Sequence, residues 1–313
     1  MIINVGTRTD IVNHYGEWLF RRFREGFAYS RNPLFPKHVT RYELVPEKVD
    51  AVLFCSKNYA PVLPRLSEIT SRFHTCFQYT ITGYGKDLEP NVSDREESVK
   101  TLIALEKQVG RQRISWRYDP VLLTKRYTAE WHFETFGRLA SLLAPHVDRC
   151  IFSFVETYAS LRENIPDAFP IDGETKKRLA EGLGRIAKKY GLILQTCGDD
   201  ADFSKYGILN AGCSTLDIIG KANGIPFREI KHTGVRRGCK CIASRDLGWY
   251  DSCPNLCKYC YANKSAELVA ENRKKHDPDS PLLIGHPEAD DELREASQES
   301  YLKLDGRQMS LFD

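Results

Sequence analysis

The 313 residues are 42% hydrophobic and 28% charged, a balance that supports a folded core, and the formal net charge of +3 is too small for bulk attraction to nucleic acid or anionic lipid. No run approaches the ~18 consecutive apolar residues of a membrane span, and the opening MIINVGTRTDI lacks the basic-then-apolar pattern of a secretory leader. The expectation is a cytoplasmic protein without membrane contact, in which clustered cysteines act as metal ligands or redox groups rather than as disulfides.

In chain order, apolar β-rich runs alternate with helical patterns. Strands are expected at Ile2 to Val5, Ala51 to Cys55, Cys76 to Thr82, Arg113 to Arg117, Cys150 to Val155 and Leu192 to Thr196. Helices are expected near 13–26, 61–72, 93–109, 128–143 and 174–190. Strand followed by helix, repeated six times, predicts parallel strands joined by crossover helices. The fold expected is α/β, a (β/α)6-like partial TIM barrel; a flat doubly wound sheet is the alternative that periodicity does not separate. Neither a GxGxxG fingerprint after the first strand nor a GxxxxGK[ST] loop is present. The barrel core is expected over 1–207. A cysteine-rich metal-cluster segment follows over 208–276, with a helix from Ala262 to Lys275, and then a polar tail over 277–313.

Polar residues gather just after the expected strands: Arg8 and Asp10, then Ser56, Lys57 and Asn58, then Thr82 and Tyr84. Arg117, Asp119 and Pro120 end the fourth strand, Glu156 and Tyr158 the fifth, and Cys197, Asp199 and Asp200 the sixth. In parallel barrels the active site lies at this rim. Helix caps and loops favour the same residue types. Lys57, Arg117, Asp119 and Glu156 are the candidate catalytic residues; Glu156 follows FSFV, and a carboxylate ending a buried strand ordinarily has a partner or a ligand.

Five of the ten cysteines fall between 239 and 260. Cys55, Cys76 and Cys150 sit within strands and read as small core hydrophobes. Cys253, Cys257 and Cys260 form C-x3-C-x2-C, a spacing that core packing does not account for. Four thiolates make a closed zinc site or a fully ligated iron–sulfur cluster. Three on one tight loop can hold three irons of a [4Fe–4S] cluster and leave the fourth open.

CPNLCKYC, with the aromatic Tyr259 immediately before its last cysteine, resembles the CxxxCxΦC signature of radical S-adenosylmethionine (SAM) enzymes. The resemblance implies that Cys253, Cys257 and Cys260 bind a [4Fe–4S] cluster, that SAM occupies the open iron, and that Tyr259 packs near its adenine. It also implies reductive cleavage of SAM to a 5′-deoxyadenosyl radical, fed by an external electron donor such as flavodoxin or ferredoxin. The motif departs from the family by following the sixth strand rather than the first, as if permuted. The family's Gly-Gly-Glu segment is not recognisable either; Ser56-Lys57-Asn58 follows the second strand instead. The chain as a whole, through WRYDP and YCYA, also resembles a bacterial family described as a domain of unknown function with a C-terminal cysteine cluster.

Cys239 and Cys241 form C-x-C, and with Cys197 and Cys213 they are expected to complete a second four-thiolate site, the absence of any second site being the other reading. The expectation is an auxiliary [4Fe–4S] cluster, with zinc as the alternative, since spacing does not choose between them. Metal binding would help fold residues 208–261, which have little apolar material of their own. The histidines are scattered; only His232 lies near the cysteine run. Trp249 and Tyr250, just before the triplet, suit shielding of a cluster. In the tail, Gln308, Leu311 and Phe312 resemble the QxxLF peptide with which bacterial repair proteins bind the sliding clamp, a possible link to DNA. Two alternatives from other classes stand beside the radical enzyme: an iron–sulfur electron-transfer or sensing protein, and a zinc-stabilised nucleic-acid-binding protein.

Overall fold

A computed structural model describes residues 1–156, 159–230 and 238–303. The chain runs β1 (Ile2–Val5), α1 (Ile11–His14), α2 (Gly16–Glu25), β2 (Phe27–Arg31), β3 (His38–Glu43), β4 (Ala51–Ser56), α3 (Ser67–Thr70), β5 (Thr75–Thr80) and α4 (Arg95–Val109). It continues β6 (Ile114–Val121), α5 (Ala129–Leu143), β7 (Arg149–Phe154), α6 (Ala159–Asn164), α7 (Gly173–Lys189) and β8 (Ile193–Thr196). The last elements are β9 (Ile208–Asn210), α8 (Leu216–Asn223), β10 (Arg245–Asp246), α9 (Ala266–Lys274) and β11 (Glu292–Glu295). All six strands expected from the sequence form, as β1, β4, β5, β6, β7 and β8.

They belong to one parallel sheet of eight, ordered β10-β1-β4-β5-β6-β7-β8-β9. From β1 to β9 the order follows the chain without reversal. β9 and β10 are the two edges, and among the described residues they do not pair with each other. The observed architecture is therefore an α/β sheet flanked by helices, with eight strands rather than six and without barrel closure. The added strands have three and two residues, too few for periodicity to reveal. β9 continues the sheet beyond residue 207, and β10, within the cysteine-rich stretch, pairs with β1.

Period-two alternation sorts the strand residues by face. Along ISWRYDPV, Ile114, Trp116 and Tyr118 join the main core, whereas Arg117 and Asp119 line a cavity. The core face packs on α2 through Trp18, Leu19 and Phe23, on α4 through Leu102 and Leu105, on α5 through Phe136 and Leu139, and on α7 through Leu179 and Leu183. Trp116 stacks on Phe136 with ring centroids 5.0 Å apart, worth about 1 kcal/mol beyond burial alone. On the other face α8 covers the N-terminal halves of the strands, packing Leu216, Ile219 and Ala222 against Ile2, Ala51, Leu53 and Cys76. The helices start where side-chain oxygens cap them: Thr128 for α5, Asp172 for α7, Thr215 for α8 and Ser265 for α9.

A second sheet, absent from the sequence expectation, joins β2 and β3 as an antiparallel hairpin with β11 parallel to β3. Its strands, FAYSR and HVTRYE, are short and largely half-buried, so apolar contrast between their faces is weak. The hairpin tip brings Leu34, 82% exposed, to the border of the cavity.

Candidate metal centres and their cavity

The cavity has a volume of about 870 Å³ and opens at the C-terminal ends of the parallel strands. Lys57, Arg117, Asp119 and Glu156 all line it, as do all seven cysteines from Cys197 to Cys260 and Tyr259. Gly6, at the end of β1, makes the close approach to β4 possible. Its φ is +130°, and a Cβ there would lie 2.0 Å from the Cys55 carbonyl oxygen, so other residues are excluded.

The CPNLCKYC loop is fastened to the start of the chain. Asn255 donates through Nδ2 to the Asp10 carboxylate at 3.0 Å and accepts at Oδ1 from Asn13 at 3.2 Å. The same Asp10 accepts from Ser56 Oγ at 2.6 Å and from the Lys57 amide at 2.9 Å, so one carboxylate ties β1, β4 and the cysteine loop together. Tyr15 donates to the Ser252 carbonyl at 2.5 Å and Tyr261 to the Thr7 carbonyl at 2.8 Å. Asn263 closes the loop by donating to the Cys253 carbonyl at 2.7 Å. Burial pushes the Cys253 thiol up to about 12, and raises Cys257 and Cys260 too. The trio therefore stays protonated without a cation to hold thiolates.

Beside Cys257 lies a buried ion pair. Lys57 Nζ is 2.9 Å from Glu89 Oε1, and Glu89 also accepts from Thr82 Oγ1 at 2.6 Å and from the Tyr259 hydroxyl. Burial alone would lower the Lys57 pKa; the charge and hydrogen bond of Glu89 outweigh it and raise it. The Tyr259 ring leans on Tyr84, 5.8 Å away, in an apolar cluster with Leu88, Leu122 and Tyr127. Across the cavity, Arg117 pairs with Asp119 and donates to Gln78 Oε1 at 2.8 Å, while Ser153 donates to Asp119. Glu156 completes the lining next to Val155.

The other four cysteines meet elsewhere in the cavity wall. Cys241 Sγ is 3.4 Å from Cys213 Sγ and 3.6 Å from Cys197 Sγ. The three sulfurs all lie within 4.8 Å of one another. Cys239 is close enough to interact with both Cys197 and Cys241. Two glutamines on the strand face set this geometry. Gln195 donates to the Gly212 carbonyl, and Gln78 donates to the Cys213 carbonyl at 2.8 Å and to Ser214 Oγ at 2.9 Å. Gly212 has φ +81°, and a Cβ there would lie 2.8 Å from the Lys240 carbonyl carbon and 2.9 Å from the Cys241 amide nitrogen. Contact with Cys197 and Cys241 draws the Cys213 pKa well down, while contact with Cys213 and the other thiols drives Cys197 up. Such a group does not shed all its protons unless a cation balances the charge.

Comparison with known proteins identifies a family but no activity. The model of a family described as Domain of unknown function (DUF1848) matches residues 2–262. The chain belongs to this family. No curated protein and no solved structure matches it. The DUF1848 match ends two residues past Cys260, so all ten cysteines lie within it.

Within this DUF1848 chain the sequence reading misses Glu89, Gln78 and Gln195. Glu89 stands in GKDLEP, nine residues beyond β5; a carboxylate in that position is a detectable but unspecific signal. The glutamines occupy strand interiors where a polar residue among apolar neighbours is the available clue. Cys76 and Cys150 are core residues as expected, whereas half-buried Cys55 lines the cavity and accepts from Arg117 at 3.5 Å. Tyr158, His232 and the tail residues Gln308, Leu311 and Phe312 lie outside the described residues. Glu288, Asp290 and Asp291 also cluster, but Lys37 and Arg31 pair with them on the surface. No helix among the described residues is long and apolar enough to cross a membrane.

Proposed function

We propose that this chain is a radical SAM enzyme whose cluster is held by Cys253, Cys257 and Cys260 and whose substrate enters the 870 Å³ cavity. The observation that carries the reading is the contrast between the two thiol groups. Among the described residues, the Cys253–Cys257–Cys260 set is not one in which all sulfurs come within 4.8 Å of each other, whereas Cys197, Cys213 and Cys241 do so. A single ion needs its ligands packed together; a cubane with one thiolate per iron needs them spread. The trio has the donor number that suits a cluster with one iron left for another ligand, and its sulfurs are not drawn together as those of Cys197, Cys213 and Cys241 are.

When bound, such a cluster supplies the electron that cleaves SAM to methionine and a 5′-deoxyadenosyl radical, which takes a hydrogen atom from substrate. The chain's own residues bind, orient and exclude water. The Lys57 ammonium, held by Glu89, places positive charge beside Cys257 and suits the carboxylate of a SAM molecule or the net negative charge of a thiolate-ligated cluster. Glu89 also fixes the Tyr259 hydroxyl, leaving the ring to border the cavity where an adenine would stack. Arg117 and Asp119, restrained by Gln78 and Ser153, offer a fixed cation–anion pair for substrate polar groups deeper in the cavity. Glu156 supplies a further carboxylate on the same wall. An external one-electron donor, a flavodoxin or ferredoxin, would feed the site.

The test is anaerobic reconstitution with iron and sulfide, followed by dithionite and SAM. Formation of 5′-deoxyadenosine is expected from the native chain and is expected to vanish in a Cys253→Ala, Cys257→Ala, Cys260→Ala chain. Equal SAM turnover in both, or none in a native chain that carries a reducible cluster, contradicts the proposal.

A further inference from the structure

We propose that Cys197, Cys213, Cys239 and Cys241 form a closed tetrathiolate site for one zinc ion, which staples the two open edges of the parallel sheet together. The inference does not rest on the radical reading; it rests on sulfur spacing and on where the four residues come from.

Four thiolates around one zinc at ~2.3 Å form a tetrahedron whose edges are ~3.8 Å. The observed separations are 3.4 and 3.6 Å, with the third pair inside 4.8 Å. In a [4Fe–4S] cluster each cysteine binds a different iron at a different corner, and the thiolates stand about 6 Å apart. Cys197, Cys213 and Cys241 are therefore too tight for the auxiliary cluster and have the spacing of a mononuclear site; Cys239, which interacts with Cys197 and Cys241 but stands outside the set of sulfurs all within 4.8 Å of one another, closes in as the fourth ligand when the ion binds. A disulfide does not account for it, because Cys241 approaches two partners about equally and neither distance is near the ~2.05 Å of an S–S bond. Hydrogen bonding points to sulfurs serving as thiolate ligands. The Cys213 amide donates to Cys241 Sγ at 3.2 Å, and the Cys241 amide to Cys239 Sγ at 3.4 Å. Outer-sphere donors of this kind orient ligands and temper their charge.

Loading zinc releases the thiol protons and leaves a site of net charge about −2, four thiolates against one Zn²⁺. The Arg117 guanidinium, within electrostatic reach of Cys197 and Cys213, offsets that charge. With four protein ligands the ion has no open position, so its role is structural.

The placement gives it a task. Cys197 follows β8 directly, and Cys213 lies three residues past β9, the edge strand at one end of the sheet. Cys239 and Cys241 precede β10, the edge strand at the other end. Among the described residues, the segment linking the edges packs on the sheet through α8 and Ile242, with Phe227 and Ile230 beside them. One zinc joins edges that no strand pairing joins among the described residues and fixes the wall of the cavity into which the trio faces.

The experiment is metal analysis and cobalt spectroscopy on the full chain, prepared anaerobically. A Cys253→Ala, Cys257→Ala, Cys260→Ala chain is expected to retain about one zinc and lose its iron. Replacing that zinc with Co²⁺ should give the intense visible bands of a tetrahedral tetrathiolate site. Adding Cys197→Ser and Cys241→Ser to the same chain should abolish both the zinc and the cobalt spectrum. Iron and sulfide retained by the triple variant in place of zinc, or a cobalt spectrum without tetrathiolate character, overturns the proposal. The cobalt reading uses a chain with the quartet intact, so a folding failure of the quintuple variant leaves the outcome decidable. Because the triple variant lacks the trio, the zinc result and SAM cleavage fail or succeed independently.

Discussion

Two groups of cysteines face one cavity and are built on opposite principles. The trio comes from one loop of eight residues, Cys253 to Cys260, and its sulfurs are not all within 4.8 Å of one another. The quartet is assembled from three separated stretches, and three of its sulfurs, those of Cys197, Cys213 and Cys241, lie within 4.8 Å of one another. The trio is bound to the chain's N-terminal turn by side-chain hydrogen bonds through Asp10 and Asn255, whereas the quartet is held by strand-face glutamines and a positive-φ glycine. The difference teaches that ligand number and ligand spacing are separate readouts: number distinguishes open from closed sites, and spacing distinguishes a single ion from a cluster.

The sharpest way to separate the groups is to remove one ligand from the reactive one. Cys257→Ala should lower SAM-dependent 5′-deoxyadenosine formation at least ~1000-fold, equivalent to about 4 kcal/mol. Urea unfolding of the same variant should leave the midpoint nearly unchanged, and the zinc content should stay intact.

Next in size is the support behind the trio. Glu89→Ala leaves the buried Lys57 ammonium without its carboxylate, which costs about 3–5 kcal/mol. Denaturant titration should show that loss; Glu89→Gln should cost less, because the amide oxygen still accepts from Lys57.

Acid should strike the trio's side first. His132 is fully buried; its Nε2 lies 2.9 Å from the Leu122 carbonyl and its Nδ1 2.8 Å from the Tyr118 hydroxyl. The carbonyl can only accept, so Nε2 carries the proton and Nδ1 accepts from Tyr118. Burial lowers the His132 pKa to about 4 from the 6.5 of an unfolded chain. Its contribution to stability is complete above pH 6.5 and is lost as pH falls towards 4, on the order of 3 kcal/mol in all. Its ring packs on Tyr84, which backs Tyr259. Thermal unfolding from pH 7 to pH 4 should show a falling Tm, with a flatter slope in His132→Gln.

The smallest effect tests the quartet's backbone. Gly212→Ala places a Cβ against the Lys240–Cys241 peptide in a left-handed conformation, at about 1–3 kcal/mol. A zinc competition assay should show weaker retention of the ion, with SAM cleavage per iron little changed.

Much of the fold was legible because six strands are long and apolar enough to announce themselves. Two edge strands of three and two residues were not, and neither was the hairpin of β2 and β3, whose half-buried strands give little contrast between faces. The trio stands out in the sequence because its three cysteines are neighbours there. The sequence set the four remaining cysteines apart, but not how close their sulfurs come, since spacing along the chain carries no information about sulfur separation across 44 residues from Cys197 to Cys241. Glu89 escaped because its partner Lys57 is 32 residues away and only the β4–β5 pairing brings their loops together.

The most direct measurement is the EPR spectrum of the anaerobically reconstituted, dithionite-reduced chain with and without SAM. The account predicts one reduced [4Fe–4S] signal that shifts when SAM is added, disappears in Cys257→Ala, and survives Gly212→Ala. A signal that ignores SAM, or one that persists after all three loop cysteines are replaced, would contradict it.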